Sequence, residues 1–390
     1  MAPAPDAGGV EQSARPAPAT LPVLVLNAGS SSLKLAVIGA DGAVLLRDQR
    51  DWCQSRDQEQ GLELLLQAWL PQALHPWLVA GRLQLALAGH RVVHGGLQFT
   101  EPTPIDATVL AAIEALIPLA PLHNAVALRL MRWLQRWQPA LPQWACFDTA
   151  FHASLAPEAF TYPIPASWRR QGLRRFGFHG LSHQHVSAVV QRHWSAAGRP
   201  DQPRLISAHL GAGCSLCAIA AGRSIATTMG YTPMEGLVMA SRCGSIDPGL
   251  LLHQLRQGLT PAELDQALNH EGGLLGLSER TADMRELRQL ATGAAGTPGD
   301  RKAALAIAVF RHRLLQGIGA MAASLQGVDV IALTGGIGEH DEALRAELEV
   351  ALAWLPPFEL LVVAADEEGM VARSCLAAMD QANRRGARAS

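Results

Sequence analysis

The segment from Val23 to Ile38, VLVLNAGSSSLKLAVI, places the strongest constraint on the fold. Two runs of Leu and β-branched residues flank a loop of small polar residues, which is typical of two strands joined by a tight turn. If the second strand begins near Ser32, side-chain alternation places Ser32 and Lys34 on one face and Leu33 on the other. Exposed N–H groups, hydroxyls and an ammonium predict a phosphate-binding loop. A solvated serine-rich hairpin is the alternative that this segment leaves open.

The composition limits the classes of protein to which the chain can belong. With 390 residues the chain is long for a single core, so two domains are expected. The residues are 49% hydrophobic and 17% charged, which supplies enough apolar material to fold. A formal net charge of -2 offers no basic surface for nucleic acid or anionic lipid. No apolar run approaches the roughly 18–20 residues of a membrane span. Residues 1–20 are rich in Ala and Pro, which predicts a disordered tail.

The six cysteines are scattered and do not form the framework of a small secreted domain. Cys214 and Cys217 make one CxxC, but the motif lies in a strand-like segment and has no second pair. Two buried thiols are therefore expected there, and a reducing cytoplasm is the predicted location.

A strand that runs through GHRVVHGG carries the first candidate for binding a substrate. Alternation places Arg91 and Val93 on the same face, where a guanidinium and an isopropyl group suit a ligand with an anionic head and a small apolar tail. An edge-strand arginine in a salt bridge is the alternative interpretation, and the strand alone does not decide between the two.

Two further segments carry candidate functional residues. Asp148 ends the short strand WACFD, where ligands gather in α/β sheets, so it could hold a metal or cap the next turn. In the segment GFHGLSH, Ser182 is predicted to cap a helix that runs to His193, which splays His183 and His185 apart. His179 is then the histidine expected to face a ligand.

Glycine turns recur along the chain. Residues 205–219 repeat the pattern of strand, glycine turn and strand, and VDVIALTGGIGEH predicts a strand, a glycine turn and a helix beginning near Glu339. The irregular segment 227–249 contains one conspicuous arginine, Arg242. Phosphate cradles, a carboxylate for Mg²⁺ and isolated cations together indicate phosphoryl transfer from ATP. The P-loop motif and the protein-kinase motifs are absent from the sequence.

The chain carries NAGSSSLK, GHRVVHGG, FDTAFH, GFHGLSH, TPMEG, SRCGSIDPG and GGIGE in this order. In these motifs it resembles the acetate kinase family, which comprises acetate and propionate kinases, from about Val23 to the C-terminal helix. The resemblance implies an α/β fold of two actin-like (ribonuclease H-like) domains, each a mixed sheet flanked by helices, with the active site in the cleft. It further implies a first domain of residues 21–152 with the C-terminal helix 370–390 packed on it, and a nucleotide-binding domain of residues 153–369.

The same resemblance implies the reaction and its ligands. The expected reaction is the reversible phosphorylation of acetate by ATP, giving acetyl phosphate and ADP, with Mg²⁺ as the cofactor and Mn²⁺ as a substitute. Propionate or another short-chain carboxylate is the alternative substrate, and a homodimer is the expected assembly. A non-catalytic ATP-binding module and a sugar kinase are the rival classes. The two arginines argue against the module, and the sugar kinase would need a carboxylate base in the GHRVVHGG strand.

The resemblance also assigns roles to individual residues. The catalytic residues are Arg91, Asp148, His179 and Arg242. The carboxylate substrate would contact Arg91, Val93, Leu122, Phe178 and Pro233. The nucleotide would contact Lys34, His209, Gly211, Gly213, Asp283, Arg285, Gly335, Gly336, Ile337 and Gly338. The metal would contact Asn27 and Glu367, with Asp148 as the second acid of the metal environment and Glu367 chosen over the neighbouring Glu368. Two positions near the nucleotide depart from the family pattern, because Ala212 and His340 stand where Asn is usual.

Overall fold

The computed structural model describes residues 21–29, 32–51, 58–199, 201–293 and 298–389. The predicted disordered tail, Ser30, Ser31 and Cys53 lie outside these residues. Within them the chain forms two larger sheets with helices packed against them, together with one small two-stranded ribbon.

The first sheet is built around the segment that opens the sequence analysis. Antiparallel strands β1, β2 and β3 are followed by two strands parallel to β1, so that the strand order is β3-β2-β1-β6-β8-β7. The alternation predicted for β2 is confirmed, because Leu33 and Leu35 are buried whereas Lys34 is exposed. The strand bounds are β1 Val23–Ala28, β2 Ser32–Ile38, β3 Val44–Asp51, β4 Leu78–Val79, β5 Arg82–Leu83, β6 Leu87–Val92, β7 Thr103–Pro104 and β8 Gln143–Phe147, with β4 and β5 forming the ribbon.

Helices that lie between the strands in sequence cover one face of the first sheet. Leu130 and Leu134 of the longest of them pack on Leu24 and Leu26 of β1. The bounds are α1 Gln58–Leu64, α2 Leu70–Ala73, α3 Ala107–Ala115 and α4 Pro121–Trp137; a π-helical segment, Leu65–Trp69, joins α1 to α2, and 3₁₀ turns span His75–Trp77, Ile117–Leu119 and Ala150–Ser154.

The second sheet repeats the plan of the first, as the glycine turns predict. Three antiparallel strands are followed by two strands parallel to the first of them, in the order β11-β10-β9-β12-β13. The bounds are β9 Leu205–Leu210, β10 Cys214–Ala220, β11 Arg223–Thr227, β12 Val330–Thr334 and β13 Glu359–Val362.

Three of the remaining helices, α7, α12 and α13, contact the second sheet, and the last helix returns to the first. Val371, Ala372 and Cys375 of this last helix pack against Val23 and Val25 of β1. The bounds are α5 Pro157–Phe160, α6 Ala166–Arg169, α7 Gly180–Ala196, α8 Pro248–Arg256, α9 Pro261–His270, α10 Gly273–Ser278, α11 Met284–Thr292, α12 Arg301–Leu325, α13 Gly335–His340, α14 Glu342–Ala351 and α15 Glu367–Ala389.

Three predicted helix starts are wrong. The helix that contains Ser182 begins at Gly180, so Ser182 lies inside α7 instead of capping it. The helix α13 begins at Gly335, not near Glu339, and α15 begins at Glu367, not at residue 370. In each case the chain turns directly from a strand or loop into the helix, and tertiary packing sets the boundary. No helix in the described part of the chain is long and apolar enough to cross a membrane.

Candidate active site

A cavity of about 430 Å³ opens between the two sheets, and both halves of the chain line it. The first half contributes Asn27 at the end of β1, Ser32 and Lys34 on β2, and Arg91 on β6. The structure therefore brings together most of the charged residues selected from the sequence. The predicted residues on its wall are Asn27, Lys34, Arg91, His179, His209, Gly211, Gly213, Arg242, Gly335, Gly336 and Glu367.

Arg91 is the most firmly held cation of the cavity. Its Nε donates to Asp148 Oδ1 at 3.0 Å and its Nη2 to Asp148 Oδ2 at 2.5 Å, while Nη1 donates to Asn27 Oδ1 at 3.0 Å. Asp148 is almost completely buried at the end of β8. A bidentate pair fixes the plane of a guanidinium, so Asp148 and Asn27 orient Arg91 toward the cavity.

Acidic residues shape the electrostatics around Arg91. Burial disfavours the charged guanidinium, but the carboxylates of Asp148, Glu367 and Glu368 raise the pKa of Arg91 above its usual value. Burial would raise the pKa of Glu367, yet Arg91, His209 and Lys34 lower it overall. Glu367 is therefore ionised at neutral pH, and it lies in the first turn of α15, where the helix dipole also favours an anion.

The two late acids differ in their partners. Glu368 forms an ion pair with Arg47 at 3.7 Å. Glu367 has no ion pair within 4 Å in the described part of the chain, and both residues line the cavity. Glu367 is thus the carboxylate that is charged and still available to a ligand.

His179 owes its position to an unusual backbone. It precedes α7 with φ +56°, a left-handed conformation that is uncommon for residues other than glycine. The next residue, Gly180, donates its N–H to the Asp148 carbonyl at 2.9 Å, and a Cβ at Gly180 would lie 2.1 Å from that oxygen. This close approach fixes His179 beside the cavity, with its ring centroid 4.2 Å from that of His209.

Arg242 enters the cavity from the irregular segment before α8. Its Nη1 donates to the Pro233 carbonyl at 3.0 Å, and in the described residues its other guanidinium nitrogens make no hydrogen bond. Burial and the positive charge of Arg91 lower the pKa of Arg242. Unlike Arg91, this guanidinium keeps most of its donors free for an anion.

The loop that carries Pro233 is anchored by Arg175. The Nη1 atom of Arg175 donates to the carbonyls of Thr228 and Met229 at 2.9 and 2.8 Å, and its Nη2 donates to Glu235 Oε1 at 2.5 Å. Arg175 therefore ties the loop that carries Pro233 to the segment that leads to His179.

A second pocket of about 650 Å³ adjoins the first, with Gly211, Ala212 and Gly336 on both walls. Asp283, Arg285 and Ile337 line it, as does His340. Asp283 caps α11 and pairs with Arg285 at 2.7 Å, and the hydrogen bond from Arg285 lowers the pKa of Asp283 to about 2. Gly338 is not on either wall, because it packs against Leu333 of β12. Glycines join the two pockets where backbone can approach a ligand closely.

Of the apolar residues predicted to contact the substrate, Val93, Phe178 and Pro233 do not line the cavity. Val93 and Phe178 are buried in one hydrophobic cluster, and β6 ends one residue before Val93. Pro233 contacts Arg242 through its carbonyl. Leu122 lies in α4, but its side chain is outside the described part of the structure.

Two residues with polar side chains in the cavity were missed by the sequence reasoning. His123, near the start of α4, lines the wall, and burial together with Arg91 and Arg242 lowers its pKa to about 3. Glu339 accepts hydrogen bonds from the N–H groups of Gly335 and Ala365, each at 3.0 Å. His123 adjoins Leu122, and Glu339 follows the GGIG turn, so proximity to these motifs was the available signal.

The oxygen donors of the cavity suit a hard cation. Within the described residues no group of three or more His, Cys, Asp and Glu side chains forms a ready-made metal site. Mg²⁺ typically takes only one or two protein carboxylates and completes its shell with water and phosphate oxygens. The Asn27 amide oxygen and the ionised Glu367 fit such a partial site.

Two similar mixed sheets with a cavity lined by cationic side chains between them form an α/β fold of the actin-like class, and comparison with known proteins then identifies the family. The chain matches the Acetokinase family over residues 22–382 and belongs to that family, whose members are phosphotransferases with a carboxyl group as acceptor. It is 41% identical to an acetate kinase of Synechococcus sp. over 406 residues, which covers 90% of this chain and 98% of that protein. It is 42% identical to an acetate kinase of Deinococcus radiodurans over 83% of this chain and 84% of that protein.

Solved structures agree. The crystal structure of Porphyromonas gingivalis acetate kinase superposes with a TM-score of 0.78 at 30% identity and covers 92% of this chain and 99% of that one. A propionate kinase from Francisella tularensis gives a TM-score of 0.76 at 32% identity over 91% and 98% of the two chains. The α/β fold of two actin-like halves that the resemblance implied is confirmed.

Proposed function

We propose that this chain phosphorylates acetate reversibly with ATP, giving acetyl phosphate and ADP. The observation that carries the proposal is one cavity in which Lys34, Arg91 and Arg242 stand near Glu367, beside a glycine-walled pocket large enough for a nucleoside. Three cations around one small space suit the meeting of two anions, a carboxylate and a triphosphate.

The chemistry is a direct in-line transfer. A carboxylate oxygen of acetate attacks the γ-phosphorus, the new O–P bond forms, and the bond to the bridging oxygen of ADP breaks. The nucleophile is already an anion, so no residue has to remove a proton from it. Catalysis then consists of positioning and of stabilising charge on the transferring group.

Each cationic or polar group has a distinct task in this proposal. Arg91, held by Asp148 and Asn27, orients the substrate carboxylate, and Arg242 with its free donors neutralises charge on the transferring phosphoryl group. His179 donates a hydrogen bond to that group. Bound Mg²⁺, which Mn²⁺ can replace, would be held by Asn27 and Glu367 and would offset phosphate charge.

The nucleotide is proposed to span the two pockets. Lys34, His209, Gly211, Gly213, Gly335 and Gly336 would contact its phosphates, and Asp283, Arg285 and Ile337 its nucleoside. Gly338 would act indirectly, through the packing of the turn on β12. Val93, Leu122, Phe178 and Pro233 are proposed to surround the methyl group once the two halves approach each other.

The proposal extends to organisation and location. We infer domains of residues 21–152 with the C-terminal helix, and 153–369, because α15 packs on the first sheet. A homodimer is proposed, and the helices α8 and α9, whose described side chains include none that is buried, offer a surface for it. Five described cysteines are free, four of them buried, which supports a reducing cytoplasm.

A hydroxamate assay with Mg²⁺ and ATP tests the activity, because hydroxylamine traps an acyl phosphate directly. Product with acetate is expected, and less product with propionate, since one methylene in an apolar pocket is worth roughly 10–200-fold. Competition between the two acids decides the substrate, and glucose serves as the control acceptor for ADP release. Absence of hydroxamate with every short-chain acid would refute the proposal, whereas a preference for propionate would change only the substrate.

A further inference from the structure

His179 has a hydrogen-bond partner that does not line the cavity. The Nδ1 atom of His179 is 2.8 Å from the Ser215 hydroxyl on β10. Its other nitrogen, Nε2, is on the side of the cavity-lining Gly213, where a Cβ would lie 3.0 Å from it. Whichever hydrogen bond Nδ1 makes therefore decides whether Nε2 presents a proton or a lone pair to the ligand.

Ser215 belongs to a buried chain of alternating hydroxyls and imidazoles. Its hydroxyl is also 2.9 Å from Nε2 of His183 on α7, and Nδ1 of His183 is 2.8 Å from the Ser207 hydroxyl on β9. Ser207, Ser215 and His183 are completely buried. Burial keeps such imidazoles neutral, so each ring has one donor and one acceptor nitrogen.

The protons of this chain can be assigned by following the donors. In the described part of the structure, Ser207 has one acceptor within reach of its hydroxyl, Nδ1 of His183. If Ser207 donates there, Nε2 of His183 carries the proton and donates to Ser215. Ser215 then donates to Nδ1 of His179, and the proton of His179 lies on Nε2.

Each alternative assignment of the protons leaves one hydrogen-bond donor without an acceptor. If His179 carried its proton on Nδ1, either the Ser215 hydroxyl or the Ser207 hydroxyl would be left without an acceptor in the described residues. An unsatisfied buried hydroxyl costs free energy that the first assignment avoids.

We propose that Ser215, backed by His183 and Ser207, is a positioning residue that holds His179 as the neutral tautomer with its proton on Nε2. This inference rests on the proposed function and adds the means by which His179 becomes a hydrogen-bond donor. A donor at Nε2 stabilises negative charge on the phosphoryl oxygens, whereas a lone pair there would repel it. No proton is transferred, and the chain keeps its arrangement through the reaction.

The kinetic test is the substitution Ser215→Ala. It should lower kcat by about 10- to 100-fold, the usual effect of removing an outer partner that orients a functional histidine, with little change in KM for ATP. Ser215→Thr retains the hydroxyl and should recover most of the rate if circular dichroism shows that it folds.

Ser224→Ala is the matched control. Ser224 is equally buried and bonds Nδ1 of His152 at 2.8 Å, but neither residue lines the cavity. The Ser224→Ala variant should lower the melting temperature about as much as Ser215→Ala does, but it should leave kcat nearly unchanged. Equal loss of kcat in both variants would reduce Ser215 to a structural role and overturn the proposal.

Nitrogen-15 NMR of histidine-labelled protein gives a readout that does not depend on activity. The signal that disappears in His179→Asn should show a protonated Nε2 and an unprotonated Nδ1 in the wild type, and a mixture in Ser215→Ala. A proton on Nδ1 in the wild type would overturn the proposal. Because this spectrum needs no substrate, it remains decisive even if the acetate assay fails.

Discussion

Two arginines in one cavity differ in how many of their donors the protein uses. Arg91 gives three nitrogens to Asp148 and Asn27, whereas Arg242 gives one to the Pro233 carbonyl. A guanidinium bound on several sides is suited to placing a ligand. One with free donors can follow the charge that develops during transfer, and its substitution should therefore affect the rate more than binding.

Arg242→Ala is expected to lower kcat by roughly 10³- to 10⁵-fold, the value of a cation on a transferring phosphoryl group. The KM for ATP should change far less. Steady-state kinetics measure both, and Arg223→Ala, at the exposed start of β11, is the surface control. Near-normal turnover in Arg242→Ala would show that the cation acts elsewhere.

The neighbouring acids Glu367 and Glu368 provide a matched pair. Glu367→Gln should raise the Mg²⁺ concentration needed for half-maximal rate, because it removes the carboxylate that has no ion pair in the described residues. Glu368→Gln should have a small effect, since Glu368 already faces Arg47 at 3.7 Å. Metal titrations of both variants show which carboxylate holds the metal. A larger rise in the Mg²⁺ requirement of Glu368→Gln than of Glu367→Gln would assign the metal to Glu368.

At the scale of elements, one close backbone contact near the site joins the start of α7 to Asp148, the residue after β8. A methyl group at position 180 would lie 2.1 Å from the Asp148 carbonyl oxygen, so the helix start and His179 would both have to move. Gly180 of GFHGLSH is thus required by packing at this position, whereas the role proposed for His179, the residue before it, is to contact the ligand.

Gly180→Ala is expected to destabilise the protein by about 1–3 kcal/mol or more through overpacking, and to lower activity as well. Gly319→Ala in α12 is the matched control, because a Cβ there meets no atom within 4 Å. Alanine should stabilise that helix interior by up to about 1 kcal/mol. Urea unfolding curves give the free energy of unfolding of both variants. Equal stability of Gly180→Ala and Gly319→Ala would contradict the crowding at Gly180.

The same elements show what the sequence could predict. Both hairpins followed from alternating apolar runs around glycine turns, and the faces of Ser32 and Lys34 followed from the period of a strand. The start of α7 could not be predicted in this way. The helix begins after His179, which has a left-handed backbone and makes no side-chain cap, and contacts distant in sequence stabilise this conformation. The pairing of Arg91 with Asp148, 57 residues apart, likewise depends on how strands meet in the sheet.

At the scale of the whole molecule, the site exists only because two similar sheets face each other. Asn27, Lys34 and Arg91 come from the first half, and His179, His209 and Arg242 from the second. The apolar side chains of Val93 and Phe178 remain behind the cavity wall in this arrangement. If the proposed substrates bind in this cavity, we expect their binding to be coupled to how closely the two halves approach.

Buried histidines connect the stability of the whole molecule to pH. Burial lowers the pKa of His90, His94 and His152 to about 4, and that of His123 to about 3, from 6.5. The folded state keeps these rings neutral, whereas the unfolded chain binds protons once the pH falls below 6.5. The free energy of unfolding should therefore be insensitive to these groups above pH 6.5 and fall as the pH drops from 6.5 toward 4.

Each such histidine should contribute about 1 kcal/mol of this loss by pH 5.5. Urea unfolding at pH 7.5, 6.5 and 5.5 measures it. His90→Gln should flatten the slope between pH 6.5 and 5.5, because the substitution removes one titrating ring from a site where His90 Nε2 lies 2.8 Å from Gln143 Oε1. Substitution of the exposed His75 by Gln provides the surface comparison. A free energy of unfolding that stays constant from pH 7.5 to 5.5 would mean that these rings titrate with the same pKa in the folded and the unfolded protein.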